Sequence, residues 1–257
     1  MLVVGVVGSP RKSGRTSELV DAALTGAAEQ GAEVQKAFLV DYDIKPFIGQ
    51  GGSEQGVRFV PEELSALCFR AEALVVGAPV YFGDINGLTK DFMDSVRIQN
   101  ENGKPALGIA IAGGSGKGLL SGVQSIYHWF YHRQMRAIDP TPVTRFNMAA
   151  TLDRLPMSGS RLVEMAEAPE PFAGEGREDR WEGVLAYYAT LPYFDKGPVD
   201  EFLMLAEQLV AISAGKPDLE KARAELAEAR AQYQDGDRVA AGRHAVRAYE
   251  LLVHQTR

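Results

Sequence analysis

Short runs of apolar residues alternate with longer segments of helical periodicity through about residue 165. The runs are rich in valine and alanine, and most end at glycine or proline, which is typical of strands buried on both faces. The predicted strands are residues 2–7, 34–40, 73–78, 106–112 and, more weakly because it contains two prolines, 137–144. The predicted helices are residues 16–30, 61–70, 86–96 and 119–135. Since strands that alternate with helices form βαβ units, the pattern predicts an α/β fold with a parallel sheet.

The pattern changes after residue 166, which we take as the end of the sheet domain. Residues 167–197 combine prolines, charges and aromatic side chains, and predict an irregular excursion with one short helix near residues 181–191. Residues 198–257 predict a helical extension. Its last part repeats apolar side chains at steps of three and four on both sides of a turn at residues 234–237, which indicates an antiparallel helical hairpin with one apolar seam.

The seam of this hairpin needs a covering surface, because a single helical hairpin cannot bury its apolar side alone. Either the chain's own sheet domain or a second subunit can supply that surface. We expect a homo-oligomer, most simply a two-fold dimer to which the hairpin contributes, and packing within a monomer is the alternative.

Composition narrows the classes of function. The chain has 257 residues, with 34 acidic and 27 basic side chains and a formal charge of −7. We expect no nucleic-acid partner, because neutralising a phosphate backbone needs a basic face. The single cysteine, Cys68, excludes a disulfide framework and a four-thiolate site within one chain. No apolar run approaches the roughly 20 residues of a membrane span, and no basic segment precedes the apolar start, so we expect a cytoplasmic protein that does not contact membranes.

The segment between the first predicted strand and the first predicted helix has the composition of an anion-binding loop. It reads Gly8-Ser9-Pro10-Arg11-Lys12-Ser13-Gly14-Arg15-Thr16-Ser17. A phosphate there would meet free backbone N–H groups and the positive end of a helix dipole, with hydroxyl and cationic side chains around it. The spacing fits neither the dinucleotide fingerprint nor the Walker A loop. The alternative is a solvated turn that caps a helix.

Two further loops follow predicted strands, and they read Ala78-Pro79-Val80-Tyr81-Phe82-Gly83-Asp84 and Gly113-Gly114-Ser115-Gly116-Lys117-Gly118. Together with the first loop they resemble three motifs of the NADPH-dependent FMN reductase and iron–sulfur flavoprotein group, within the flavodoxin-like superfamily. The resemblance spans about residues 1–165. It implies a flavodoxin-like, doubly wound five-stranded parallel sheet of order 2-1-3-4-5, followed here by the α-helical extension, and a homodimer or homotetramer.

The resemblance also assigns FMN contacts to residues of all three loops. In the first loop these are Ser9, Arg11, Lys12, Ser13, Gly14, Thr16 and Ser17. In the other two they are Pro79, Val80, Tyr81, Phe82, Gly83 and Asp84, and then Gly113, Gly114, Ser115 and Gly116. Tyr81 and Phe82 would pack beside the flavin ring, and backbone N–H groups of the last loop would stabilise negative charge on reduced flavin.

One departure from the group concerns iron. Some members carry a compact cysteine motif after the second strand that holds a [4Fe–4S] cluster. The corresponding stretch here is residues 46–53, where Phe47, Gln50 and Ser53 stand at the C-x₂-C-x₂-C spacing. Cluster ligation needs thiolates, so we expect no iron–sulfur cluster, and we assign no other metal.

The resemblance implies an enzyme: an FMN-dependent NAD(P)H oxidoreductase that passes hydride from NAD(P)H through FMN to free flavin, a quinone or a similar small acceptor. This chemistry requires no acid–base residue, so we assign no catalytic residue. A flavodoxin-like electron carrier for a protein partner and a flavin-free scaffold protein are the alternatives. Nothing in the sequence distinguishes NADH from NADPH.

Four other features allow two interpretations each. His128 and His132 stand at i, i+4, where aromatic packing on an amphipathic helix is favoured over a metal site. Cys68 fits a small core residue better than a nucleophile. Asp84 either adjusts the flavin environment or caps the helix that begins near Asn86. The aromatic residues of the excursion either line a substrate pocket or anchor the excursion to its own domain.

Overall fold

The computed structural model describes residues 1–49, 59–98 and 101–256, and its centre is a parallel sheet. The parallel strands are β1 (Leu2–Val7), β2 (Glu33–Phe38), β3 (Ala73–Tyr81), β5 (Pro105–Ala112) and β6 (Arg136–Thr144), in the order β2-β1-β3-β5-β6. The two-residue β4 (Asp84–Ile85) pairs antiparallel with the end of β3. With the parallel strands numbered alone, the order is 2-1-3-4-5, which confirms the predicted doubly wound fold.

Helices cover both faces of this sheet. One face carries α1 (Arg15–Glu29) and α5 (Met148–Glu167), and the other carries α2 (Glu62–Arg70), α3 (Gly87–Ser95) and α4 (Leu119–His132). Side chains of β1 alternate between the two cores: Val3 and Val7 lie in the first, Val4 and Val6 in the second. Because both faces are buried, the strands read as nearly continuous apolar runs.

The remaining helices are α6 (Trp181–Tyr188) in the excursion and α7 (Pro198–Ile212), α8 (Leu219–Gln234) and α9 (Arg238–Val253) in the extension. Helices α8 and α9 form the predicted hairpin. Its seam packs with α7 of the same chain in a third core, which includes Leu205, Leu209, Leu226 and Leu252. The surface that covers the seam is therefore intramolecular, so the seam itself does not require a second subunit. The homo-oligomer stays a prediction.

The second and third strands end at other residues than predicted. Strand β2 was expected to reach residue 40, but it ends at Phe38, because Leu39–Asp41 form a short 3₁₀-helix. The third strand was expected to end before Pro79, but β3 continues to Tyr81, and the carbonyl of Pro79 accepts a hydrogen bond from Asn86 N at 3.0 Å as the chain folds back. The strand β6 runs through Pro140 and Pro142 with a shift of register opposite residues 107–109. It tolerates these prolines because it lies at the edge of the sheet.

The aromatic side chains of the excursion pack against α4 and β6. Tyr188 is 1% exposed and its hydroxyl donates to Met135 O at 2.8 Å, while the hydroxyl of Tyr187 donates to Ala137 O at 2.9 Å. The ring of His128 lies 5.0 Å from that of Phe194. These contacts favour the anchoring interpretation of the excursion and the packing interpretation of the histidines. Within the described ranges no group of three or more His, Cys, Asp or Glu side chains could hold a metal ion.

Cys68 lies on the buried side of α2, in the core between that helix and the sheet. It is fully buried, and this burial raises the pKa of its thiol to about 12. A thiol with that pKa is protonated at neutral pH, which favours the interpretation of Cys68 as a core residue. Among the helices that the structure describes, none is long and apolar enough to cross a bilayer.

Helices α1 and α5 contact each other backbone to backbone at two glycines. A Cβ atom on Gly26 would lie 1.9 Å from Pro156 O, and one on Gly159 would lie 1.8 Å from Ala23 O. No side chain fits into such a contact without separating the helices.

We expect Gly159→Ala to lower the free energy of unfolding by about 1–3 kcal/mol, because the added methyl overpacks the α1–α5 contact. The matched control is Gly183→Ala on the exposed side of α6, where the nearest atom would be 3.6 Å away. That control should raise stability by about 0.4–1 kcal/mol, since alanine restricts the unfolded chain. Urea denaturation followed by circular dichroism measures both, and equal effects would contradict the described packing.

Candidate functional site

Three loops meet at the carboxyl edge of the sheet. They are the first loop (residues 8–14) after β1, the hairpin loop (residues 81–84) after β3, and the third loop (residues 113–118) after β5. The three strands are neighbours in the sheet. In open α/β sheets the crevice outside the carboxyl ends of such strands is where ligands bind.

Asn86 ties the first loop to the start of α3. Its Nδ2 donates to Gly8 O at 2.8 Å, and its Oδ1 accepts from the hydroxyl of Thr89 at 2.6 Å. A Cβ atom on Gly8 would lie 1.8 Å from that hydroxyl oxygen. Sequence reasoning did not assign this role to Asn86, because an asparagine at a predicted helix start fits an ordinary N-cap equally well.

The third loop lies against the hairpin loop and close to the first residue of α1. A Cβ atom on Gly118 would lie 2.2 Å from the Cα of Gly83 in the hairpin loop, and the φ of Gly118 is 82°. At the other end of the third loop, a Cβ on Gly113 would lie 3.9 Å from a guanidinium nitrogen of Arg15. The three predicted motifs are thus brought together in one site.

The first loop ends in a helix N-terminus that no side chain caps. Gly14 is the N-cap residue of α1 and has no side chain to offer. Among the described residues, no backbone carbonyl accepts from the N–H groups of Arg15 and Thr16, which lie in the first turn of α1. The first turn of a helix leaves such N–H groups without intrahelical partners and carries a partial positive charge. An anion bound here would accept hydrogen bonds from these N–H groups and would be stabilised by the partial positive charge.

The cationic side chains of the first loop fall into two groups. Arg11 and Arg15 are exposed and have no ion-pair partner among residues 1–49, 59–98 and 101–256. Lys12 instead pairs with Asp41 at 2.5 Å on the surface, a contact that is worth little and can be exchanged. The two arginines are therefore better placed than Lys12 to meet a ligand phosphate.

The predicted hydroxyl contacts are also divided. Ser17 Oγ accepts from the ammonium of Lys36 at 3.1 Å, on the β2 side of α1. Thr16 is buried with its methyl group toward Gly77, and Ser9 Oγ accepts from Arg11 N at 3.1 Å, which stabilises the turn. Ser13 is exposed at the turn itself. Ser13 is thus the hydroxyl that the structure leaves most accessible.

The hairpin loop presents two aromatic side chains to solvent. Phe82 and Gly83 form its two central residues, with φ values of 50° and 97°. A bulky residue with positive φ is uncommon and tends to mark a functional site. Phe82 is fully exposed and Tyr81 is 48% exposed. These side chains are open to stacking by a flat ligand.

Asp84 braces the hairpin loop. Its carboxylate accepts from Ile85 N at 2.7 Å and from the hydroxyl of Ser125 on α4 at 2.9 Å. The idea that Asp84 caps α3 is not supported, because Asn86 is the N-cap residue of that helix. Asp84 instead connects the hairpin loop to α4 through its hydrogen bond with Ser125.

A buried carboxylate from the extension occupies the N-terminus of α4. Glu201 of α7 is 8% exposed, and its two oxygens accept from Gly118 N at 2.8 Å and Leu120 N at 2.9 Å. The sequence held no signal for this contact, because Glu201 lies more than 80 residues away in a segment read only as an amphipathic helix. The N-terminus of α4 is thus occupied by a carboxylate of the same chain, whereas no side chain caps that of α1.

A cavity of about 520 Å³ lies between α3 and α4, beyond Ser125. Its charged lining is largely paired within the protein: Lys90 pairs with Asp94, and Arg133 with Glu101. The cavity therefore adjoins the hairpin loop through Ser125 but is not the place where the three loops meet.

The doubly wound sheet with three loops at its carboxyl edge defines a flavodoxin-like protein. Residues 1–146, which include all six described strands and all three loops, match the family model described as NADPH-dependent FMN reductase. The chain therefore belongs to the NADPH-dependent FMN reductase family, and it is an oxidoreductase. Helix α5, the excursion and the extension lie outside the matched residues.

Individual relatives agree with this assignment. An iron–sulfur flavoprotein of Methanocaldococcus jannaschii is 31% identical over 153 residues, which cover 55% of this chain and 79% of that protein. An iron–sulfur flavoprotein of Methanosarcina thermophila is 26% identical over 140 residues, 51% of this chain and 73% of that protein. The crystal structure of RosB with a bound riboflavin-phosphate intermediate has a TM-score of 0.51 at 13% identity, covering 74% of this chain and 86% of that one, and shows the same fold.

The residues present fit the FMN that this family implies. An uncapped helix N-terminus beside two arginines that lack an ion-pair partner in the described part of the chain suits a terminal phosphate, and the exposed rings of Tyr81 and Phe82 suit a flat ring system. The residues do not fit an iron–sulfur cluster, because none of Phe47, Gln50 and Ser53 carries a thiol. Gln50 and Ser53 lie outside the described residues.

We expect Gly118→Ala to lower the free energy of unfolding by about 1–3 kcal/mol, because alanine disfavours this φ and its methyl would strike the backbone of Gly83. Gly114→Ala is the control in the same loop, since nothing lies within 4 Å of a Cβ there, and it should change stability by less than about 0.5 kcal/mol. Chemical denaturation without added flavin compares them. Equal tolerance of both changes would contradict the contact between the third loop and the hairpin loop.

Proposed function

We propose that this chain is an FMN-dependent NAD(P)H oxidoreductase that delivers electrons to a small acceptor such as free flavin or a quinone. The observation that carries the proposal is the open N-terminus of α1, beside Arg11 and Arg15, which have no ion-pair partner among the described residues, at the same sheet edge as the exposed aromatic hairpin loop. When bound, FMN would accept hydride from NAD(P)H and pass electrons on.

The first loop would hold the phosphate. Backbone N–H groups of Arg15 and Thr16 would donate to phosphate oxygens, and the hydroxyl of Ser13 would add a donor from the turn. Arg11 and Arg15 would supply charge-assisted hydrogen bonds, which are shorter and stronger than neutral ones. Since Gly14 has no side chain, a phosphate can approach this backbone closely.

The other two loops would orient the flavin ring. Tyr81 and Phe82 would pack beside it, and the backbone at Gly83 would lie near its edge. The glycine-rich start of the third loop, residues 113–115, is exposed and has backbone N–H groups that could approach the ring from the other side. Arg15 would join the two ends of the site, because its guanidinium lies near Gly113 of the third loop.

The proposed electron path uses no iron–sulfur cluster. A chain with one buried cysteine offers no set of thiolates that could ligate one. Electrons would leave from the flavin to an acceptor that stacks on its open face. We further propose that the protein acts in the cytoplasm as a homodimer or homotetramer, with no nucleic-acid or membrane partner.

The visible spectrum of the freshly purified protein is the first test. Absorption bands of oxidised flavin, with FMN rather than FAD released on denaturation, would support the cofactor assignment. Anaerobic stopped-flow mixing with NADH and with NADPH then measures hydride transfer as bleaching of the flavin band. Failure of both to bleach it at useful rates would refute the reductase and favour an electron carrier, and a protein that takes up no FMN would favour the scaffold alternative.

We expect Arg11→Ala to weaken FMN binding by about ten- to a hundredfold, because it removes a charge-assisted contact worth roughly 1.5–3 kcal/mol. The fold should be unaffected, since the Arg11 side chain is exposed. The control is Arg243→Ala, which removes the same charge from the exposed side of α9. Quenching of FMN fluorescence gives both dissociation constants. An unchanged value for Arg11→Ala would mean that the backbone alone holds the phosphate.

A further inference from the structure

We propose that Glu201 is a positioning residue for the candidate flavin site, supplied by the extension. Its carboxylate holds the third loop in the conformation that borders the site and places a fixed negative charge beside it. The flavin part of this inference rests on the proposed function, whereas the contact itself does not.

The geometry at Glu201 is that of a two-fold hydrogen-bonded anion. One oxygen accepts from Gly118 N at 2.8 Å and the other from Leu120 N at 2.9 Å. Gly118 ends the third loop and Leu120 lies in the first turn of α4, so the carboxylate spans the junction between them. The positive end of the α4 dipole stabilises the charge there. Because the side chain is 8% exposed, solvent screens these bonds little.

Three other residues of the extension hold the same loop. The hydroxyl of Tyr249 on α9 donates to Ser115 O at 2.8 Å. The ammonium of Lys117 lies 5.0 Å from the Tyr249 ring centre and pairs with Glu250 at 3.3 Å. A Cβ atom on Gly116 would lie 2.5 Å from a methyl group of Leu205 on α7. The extension thus contacts the third loop from Ser115 to Gly118.

The start of α7 is itself held by the helical hairpin of α8 and α9. Asp200, next to Glu201, accepts from Gly197 N at 2.9 Å and closes the N-terminus of α7. The same carboxylate accepts from the hydroxyl of Tyr233 on α8 and lies 3.5 Å from Arg238 on α9. Glu201 is therefore presented from a braced helix turn. This explains how a segment outside the family match can hold a loop inside it.

The charge has a consequence for chemistry at the site. The N–H groups of Gly118 and Leu120, at the junction of the third loop and α4, are taken by Glu201. A fixed negative charge beside the third loop disfavours further negative charge on a reduced flavin. The native carboxylate should therefore keep the flavin potential lower than a neutral side chain would.

The test compares Glu201→Gln with Glu207→Gln, which makes the same change on the exposed side of α7 where Glu207 pairs with Arg230. Glutamine has the shape of glutamate but only one oxygen acceptor, and its NH₂ group cannot accept from a backbone N–H. Packing at residue 201 is kept, and only the two-fold acceptor and the charge are lost. Three quantities are measured: amide exchange over residues 113–120 without flavin, the FMN dissociation constant, and the midpoint potential of bound FMN.

We expect Glu201→Gln to speed amide exchange of residues 113–120 at least about tenfold, to raise the FMN dissociation constant about tenfold, and to shift the midpoint potential to a less negative value. Glu207→Gln should match the wild type in all three. If both variants behave alike, the proposal is overturned. If exchange changes while FMN affinity and potential do not, Glu201 is a structural cap and not a positioning residue, which also overturns it.

Failure of the proposed function has a separate signature. If the wild-type protein binds no FMN, the oxidoreductase proposal falls, while the exchange measurement still decides whether Glu201 holds the loop. If Glu201→Gln does not fold, Tyr249→Phe takes its place, because it removes a single hydroxyl from Ser115 O and keeps the ring. Faster exchange and weaker FMN binding in that variant would support the role of the extension, and wild-type values in both would overturn it.

Discussion

The carboxyl edge of this protein depends on close contacts at glycines, where no side chain fits between the packed segments. At Gly8 the first loop passes so close to Thr89 that a methyl group has no room, and at Gly118 the third loop lies on the backbone of Gly83. Gly77 lets α1 pack directly on β3, where a Cβ atom would lie 2.5 Å from Val20. These contacts bring three loops, distant in the sequence, within reach of one ligand. Larger side chains at these positions would separate the loops and disrupt the site.

Helices α1 and α4 both begin at this edge, and their positive ends are used differently. The N-terminus of α1 follows a glycine N-cap and stays open beside Arg11 and Arg15, for which the described residues supply no ion-pair partner. The N-terminus of α4 is satisfied by a carboxylate from α7. A helix terminus left open in water is readily satisfied by an external anion, whereas one filled by a buried carboxylate is not. An anionic ligand is therefore expected to bind at the first loop and not at the N-terminus of α4.

The segments beyond residue 146 support the family domain from three sides. Helix α5 closes the α1 face through the contact at Gly26 and Gly159. The excursion adds aromatic side chains to the opposite core, where Tyr188 is bonded to the backbone next to β6. The extension packs its hairpin on α7 and reaches the third loop. Segments outside the residues that match the family thus contribute both to the core and to the edge where the candidate site lies.

The amino-acid sequence by itself determined the sheet, its helices and the three loop motifs, because apolar period and glycine-rich strand ends are local properties. It did not determine which hydroxyls and cations of the first loop remain open: Ser17 bonds Lys36 and Lys12 bonds Asp41, and both partners come from the region of β2. Nor could it pair Glu201 with Gly118, or show that α7 covers the hairpin seam. Only the tertiary structure decided these points. Hydrogen-bond partners and buried contacts between distant segments depend on how the elements pack, and they produce no periodic pattern in the sequence.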